Sequence, residues 1–78
     1  MNDKMVLIQH AIQKYEKEEE LIEKLKNVLS EKDIQRNLDT LIGTQRVRRI
    51  GPEILQNKQS HTELPGLPEH LKPLLEKI

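Results

Sequence analysis

The stretch from Asp3 to Leu29 limits the fold more than any other part of the chain. Positions 8, 11, 15, 18, 22, 25 and 29, spaced alternately by three and four, read Ile8, Ala11, Tyr15, Glu18, Ile22, Leu25 and Leu29. Only Glu18 interrupts an otherwise apolar row. The opposite face carries Gln9, His10, Gln13, Glu16, Lys17, Glu20, Glu23, Lys24 and Asn27, with no apolar residue. A two-residue alternation fails, because Met5 to Ile8 and Leu21 with Ile22 are adjacent apolar residues. The spacing predicts one amphipathic helix over residues 3–29, a rod of about 40 Å at ~1.5 Å per residue.

Leu7, Leu21 and Val28 widen the stripe on one side and Ile12 on the other. A stripe this broad suits a helix packed against several neighbours rather than a bare two-stranded coil. The apolar row must be covered, either by the rest of the chain folding back or by a second copy. Ile8, Ala11, Ile12, Tyr15, Ile22, Leu25 and Leu29 are therefore the expected self-association residues, and a homo-oligomer is expected. The composition points the same way. The chain has 78 residues, is 35% hydrophobic and 33% charged, and has Tyr15 as its sole aromatic. A small aliphatic core without disulfide or metal gains from association.

Thirteen basic and thirteen acidic side chains cancel, so bulk charge gives no general attraction to nucleic acid or to an anionic membrane. With no cysteine there is no disulfide framework, thiolate metal site or cysteine nucleophile. No basic leader followed by an apolar run opens the chain, and no run approaches the ~20 apolar residues that span a bilayer. A cytoplasmic location without membrane association is expected.

Asn2 or Asp3 is placed to cap the first helix, and Glu20 with Lys24 forms a favourably ordered i,i+4 pair. The run Glu18-Glu19-Glu20 reads as a solvated helix face, or else as a register-fixing polar position or a contact for a partner's basic group. Ser30-Glu31-Lys32-Asp33 has the capping-box spacing, and Leu29 with Ile34 is placed as a hydrophobic staple. A second helix is therefore expected over 31–42, hairpinned on the first, with Gly43 as its C-terminal cap.

All four arginines lie between positions 36 and 49. The segment Gln45, Arg46, Val47, Arg48, Arg49, Ile50 invites a helix-turn-helix reading in which Gln45, Arg46, Arg48 and Arg49 reach nucleic acid. Against it, Gly51-Pro52 ends the segment after only a few residues. The favoured alternative is a basic connector that pairs with Glu18 to Glu20. Pro52 is placed to open a short helix, so short helical segments are expected over 44–58.

Residues 59–78 form a proline-containing tail. Asn57 to Thr62 reads as a loop, while Pro68 and Pro73 can each open a helical turn. Six large aliphatics between Leu64 and Ile78 exceed what a disordered linker needs. The tail either lies along the first helix or docks on a partner through Leu64, Leu67, Leu71, Leu74 and Leu75.

No catalytic, cofactor or metal site is expected. His10, His61 and His70 form no i,i+4 pair, and His61, Glu63, Glu69 and His70 have no spacing that demands a metal. Ser30 and Ser60 lie in no glycine-flanked nucleophile turn, and Gly43, Gly51 and Gly66 are too scattered for a phosphate loop. The sequence thus describes an all-α single domain. The function it favours is a non-catalytic protein-binding module of regulatory, inhibitory or adaptor kind. A small dimeric DNA-binding regulator using residues 45–49 stands second.

Overall fold

The computed structural model describes residues 3–57 and 66–78. It is mostly helical, but with a small antiparallel sheet that an all-α reading does not contain. In order, the elements are α1 (Asp3–Lys14), α2 (Glu18–Leu25), α3 (Glu31–Gly43), β1 (Val47–Arg49), β2 (Leu55–Asn57), a 3-10 turn (Glu69–Leu71) and α4 (Lys72–Glu76).

The expected single helix over 3–29 is two helices. Residues 15–17 interrupt the helix between them: the Tyr15 N–H still reaches the Ala11 carbonyl at 2.8 Å, and Lys17 is extended at φ −72° and ψ 124°. Neither glycine nor proline breaks the helix; distant backbone does. The Glu18 N–H donates to the Glu53 carbonyl at 2.7 Å, and the Leu55 N–H donates to the Glu16 carbonyl at 2.9 Å. Lys17 bridges Ile54 in antiparallel sense. Residues 16–18 thus line the outer edge of β2, and hydrogen bonds to the hairpin replace those of a continuous helix. The body measures 30 Å along its longest axis, so a rod of about 40 Å would overshoot its own core.

The break also explains the acidic run. Glu18, Glu19 and Glu20 form the first turn of α2, where negative charge meets the positive end of the helix dipole and stabilises by ~0.3–1 kcal/mol each when exposed. Lys17 makes no side-chain cap; the Glu53 carbonyl satisfies the Glu18 N–H instead.

Around α3 the local signals hold. Ser30 Oγ accepts the Asp33 N–H at 3.2 Å, and α3 begins at Glu31. At the other end the left-handed residue is not Gly43 but Gln45, at φ 63°. The Arg46 N–H reaches the Leu41 carbonyl at 2.9 Å and the Gln45 N–H reaches the Ile42 carbonyl at 3.1 Å. This pair of bonds is the Schellman closure, with Gln45 where glycine is usual. Gly43 completes the helix itself.

The short helices expected over 44–58 are replaced by the hairpin β1–β2, with Val47 opposite Asn57, Arg48 opposite Gln56 and Arg49 opposite Leu55. The Ile50 N–H donates to the Ile54 carbonyl at 3.0 Å and closes the loop around Gly51, Pro52 and Glu53. β-Branched Val47 alternating with Arg48 suits a half-buried strand. Val47 and Leu55 point inward and are buried, while Arg48 faces out.

Helix α1 lies at the centre, in contact with α2, α3, β2 and α4. Because it is covered from several sides, Gln9, on the face expected to be polar, is fully buried beside Val6, Leu7, Ile8, Ala11 and Ile12. Leu21, Leu25, Ile34, Leu38, Leu41, Val47, Leu55, Leu71 and Ile78 complete the core. Pro68 precedes the 3-10 turn and Pro73 sits at the start of α4, as the tail's prolines suggested. Over 66–78 the tail packs on the core through Leu71 and Ile78, with Leu67, Leu74 and Leu75 half-buried against it. The Tyr15 hydroxyl donates to the Ile78 carbonyl at 3.1 Å, and Lys14 Nζ does so at 3.4 Å. Among the described residues, no helix is long and apolar enough to cross a membrane.

Candidate functional site

The residues picked out for self-association serve the chain's own core. Ile8, Ala11, Ile12 and Leu25 are covered by α1's neighbours, while Tyr15, Ile22 and Leu29 are half-buried at the core's margin. Covering the stripe is done within one chain, which the break at 15–17 makes possible. Tyr15, Ile22 and Leu29 are the members of the expected set that keep part of their surface in solvent.

The docking residues of the tail divide similarly. Leu71 is buried, and Leu67, Leu74 and Leu75 keep only part of their surface in solvent. Leu64 lies outside the described residues, as do His61 and Glu63. His70 Nε2 lies 2.6 Å from Asp3 Oδ2 on the surface. Among the described residues no three His, Cys, Asp or Glu side chains converge on a metal-sized site.

The basic segment is placed on the hairpin. Arg48 lies on the outward face, and its Nε and Nη2 donate to Gln56 Oε1 at 3.2 and 2.9 Å across the strands. Arg49 reaches back to Glu18 at 2.7 Å, which joins the basic segment to the acidic run as the sequence suggested. The carboxylate raises the already high pKa of the guanidinium, through its hydrogen bond first and its charge second. Arg46 is half-buried after the Schellman turn, and Gln45 is exposed.

The element beside this segment is α3, the helix expected over 31–42, whose outer face was given no role from the sequence. Helices α2 and α3 are consecutive and joined by residues 26–30, and β1 follows α3 after the turn at 44–46. The outer face of α3 exposes Glu31, Lys32, Gln35, Arg36, Asp39 and Thr40. The signal was available: the apolar positions Ile34, Leu38 and Leu41 define the inner face and leave these residues outside. From Lys26 to Arg49 the chain holds six basic side chains against three acidic; from Glu16 to Leu25 it holds five acidic against two basic. Neutrality of the whole conceals two regions of opposite sign.

The acidic region borders an open cleft of about 480 Å³, lined by Lys17, Glu19, Glu20, Glu23, Lys24 and Glu53. The expected Glu20–Lys24 pair is not among the ion pairs within 4 Å; Lys24 Nζ stands 5.9 Å from the centre of the Tyr15 ring.

No protein-family model, curated protein or solved structure matches this chain.

Proposed function

We propose that the chain is a small non-catalytic binding protein whose principal ligand is double-stranded DNA, held by α3 and the β1–β2 hairpin. This reverses the order the sequence favoured. The observation that carries it is the 13-residue helix α3, presenting Lys32, Gln35, Arg36 and Thr40 to solvent before an arginine-bearing hairpin. The objection from sequence was that a recognition helix over 45–50 would be too short. It falls away once recognition is assigned to α3, with 45–49 as its flank. Gln35 and Arg36 are side-chain types that pair with adenine and guanine edges in the major groove. Lys32, Arg48 and Arg46 are suited to phosphates.

The test is fluorescence anisotropy of the full chain with a random-sequence duplex over a salt series. Three phosphate contacts correspond to a slope of log K against log salt of about −2.7, or roughly 40-fold weaker binding on raising salt fourfold. Arg36→Ala and Lys32→Ala should each weaken binding, and Arg48→Ala should lower the slope by about one. Absence of binding at low salt, or binding that ignores all three substitutions, would overturn the reading.

A further inference from the structure

The closed end of the hairpin carries an apolar surface that the DNA reading leaves unused. Ile50 is 51% exposed, and among the described residues no other large hydrophobic side chain is classed as exposed. Beside it, Lys17, Pro52, Glu53 and Ile54 line a shallow groove of about 210 Å³. That groove shares Lys17 and Glu53 with the larger cleft along α2, so the two form one surface. Glu19, Glu20, Glu23 and Glu53 make no ion pair within 4 Å among the described residues, although basic side chains are as numerous as acidic ones.

We propose that this surface docks a basic segment of another protein. An aliphatic side chain of that segment lies on Ile50, Pro52 and Ile54, and its lysines or arginines lie against Glu19, Glu20 and Glu23. Charge complementarity selects the occupant. Four carboxylates without an ion pair among the described residues outnumber the two lysines, Lys17 and Lys24, that line the same cleft, so the surface repels a phosphate backbone or an acidic peptide, and an apolar groove opening onto it favours a chain that is both cationic and aliphatic. The site is separate from the outer face of α3, so the inference stands independently of DNA binding. Both ligands can be carried at once, and DNA binding and partner docking become separable functions of one small body.

The experiment is a titration of the full ¹⁵N-labelled chain with a short peptide alternating lysine and leucine, followed by amide shifts. A glutamate–leucine peptide and a DNA duplex serve as parallel probes. The lysine peptide is expected to shift amides in 17–24 and 50–54 and to bind more weakly as salt rises. Glu20→Lys with Glu23→Lys should weaken it at least tenfold, and Ile50→Ser about fivefold. These positions are exposed, and the milder Glu20→Gln with Glu23→Gln, expected to give an intermediate loss, guards against a folding defect. Duplex binding should survive all of these variants.

Lack of shifts, shifts confined to other residues, or indifference to the variants would overturn the proposal. The same response to the glutamate peptide or to DNA would also overturn it. Concentration-dependent shifts of these amides without peptide, accompanied by a dimer mass in sedimentation, would assign the surface to a second copy instead.

Discussion

Replacing Leu55 by alanine tests whether the hairpin is part of the core or an appendage. Leu55 is 1% exposed, faces α1 from β2, and carries the N–H that holds the Glu16 carbonyl. Truncation removes three buried carbons, at ~0.8 kcal/mol each in transfer terms, and leaves a cavity that the packed helices only partly fill. The expected loss is about 3 kcal/mol. A chain of 78 residues has a total stability of roughly 4–12 kcal/mol at ordinary values per residue. The midpoint of thermal unfolding should fall by about 12–24 °C. The assay is urea unfolding followed by circular dichroism at the helix band, beside Ile50→Ala as the control. Ile50 occupies the same hairpin but is half exposed, so its truncation should cost within about 0.5–1 kcal/mol. Equal costs for the two, or a Leu55 cost below about 1 kcal/mol, would refute the claim that the hairpin is packed into the cooperative unit. So would a wild-type chain whose helices melt while the hairpin amides are already exchanging freely.

Gln45→Gly should stabilise by up to about 1 kcal/mol in urea unfolding, because Gln45 holds the left-handed position of the Schellman turn at φ 63°. Ser30→Ala should cost about 1 kcal/mol by the same measurement, through the lost acceptor for the Asp33 N–H. Tyr15→Phe should cost ~0.5–1.5 kcal/mol and raise hydrogen exchange around α4, since it removes the shorter of the two hydrogen bonds to the Ile78 carbonyl and leaves only that from Lys14. The hydrogen bond from Lys4, aided by its charge, holds the Asp33 carboxyl below its ordinary value. A lowered carboxyl pKa stabilises the fold above the unfolded-state pKa and ceases to do so as pH falls through the folded value. Wild type should therefore exceed Lys4→Met in urea midpoint at pH 6, and the gap should close in the acid range below about pH 4.

What could be read from the sequence was whatever neighbours in the chain decide. Ser30 with Asp33, and Pro68 and Pro73, act within a few residues, and each fixed an element start correctly. The inner face of α3 was legible from Ile34, Leu38 and Leu41 for the same reason. The break at 15–17 was not legible, because Tyr15, Glu16 and Lys17 are compatible with a helix and the competing hydrogen bonds come from Glu53 and Leu55. The hairpin was not legible: Gly51-Pro52 reads equally as the end of one segment and the start of a short helix, and three-residue strands are too short for periodicity to separate them from a helical turn. The proposed DNA-binding face lies one element before the segment that the sequence singled out. The arginines drew attention to 45–49, while the longer polar face beside them on α3 looked like an ordinary solvated helix.

The corner at Lys17 also has a consequence for the order in which the chain acquires its shape. Its two anchoring bonds run to Glu53 and Leu55, more than thirty positions away. A growing chain that has reached only the end of α3 contains neither of these partners for residues 15–17. Before hairpin closure, any helix in residues 3–29 has no competitor for the hydrogen bonds at 15–17, so the continuous rod that the spacing favours is the expected conformation there. Closure of the hairpin against that rod is the event that bends it. The corner is therefore a late, long-range feature of folding, and a synthetic peptide of residues 1–29 should show a straighter helix than the same residues have at home.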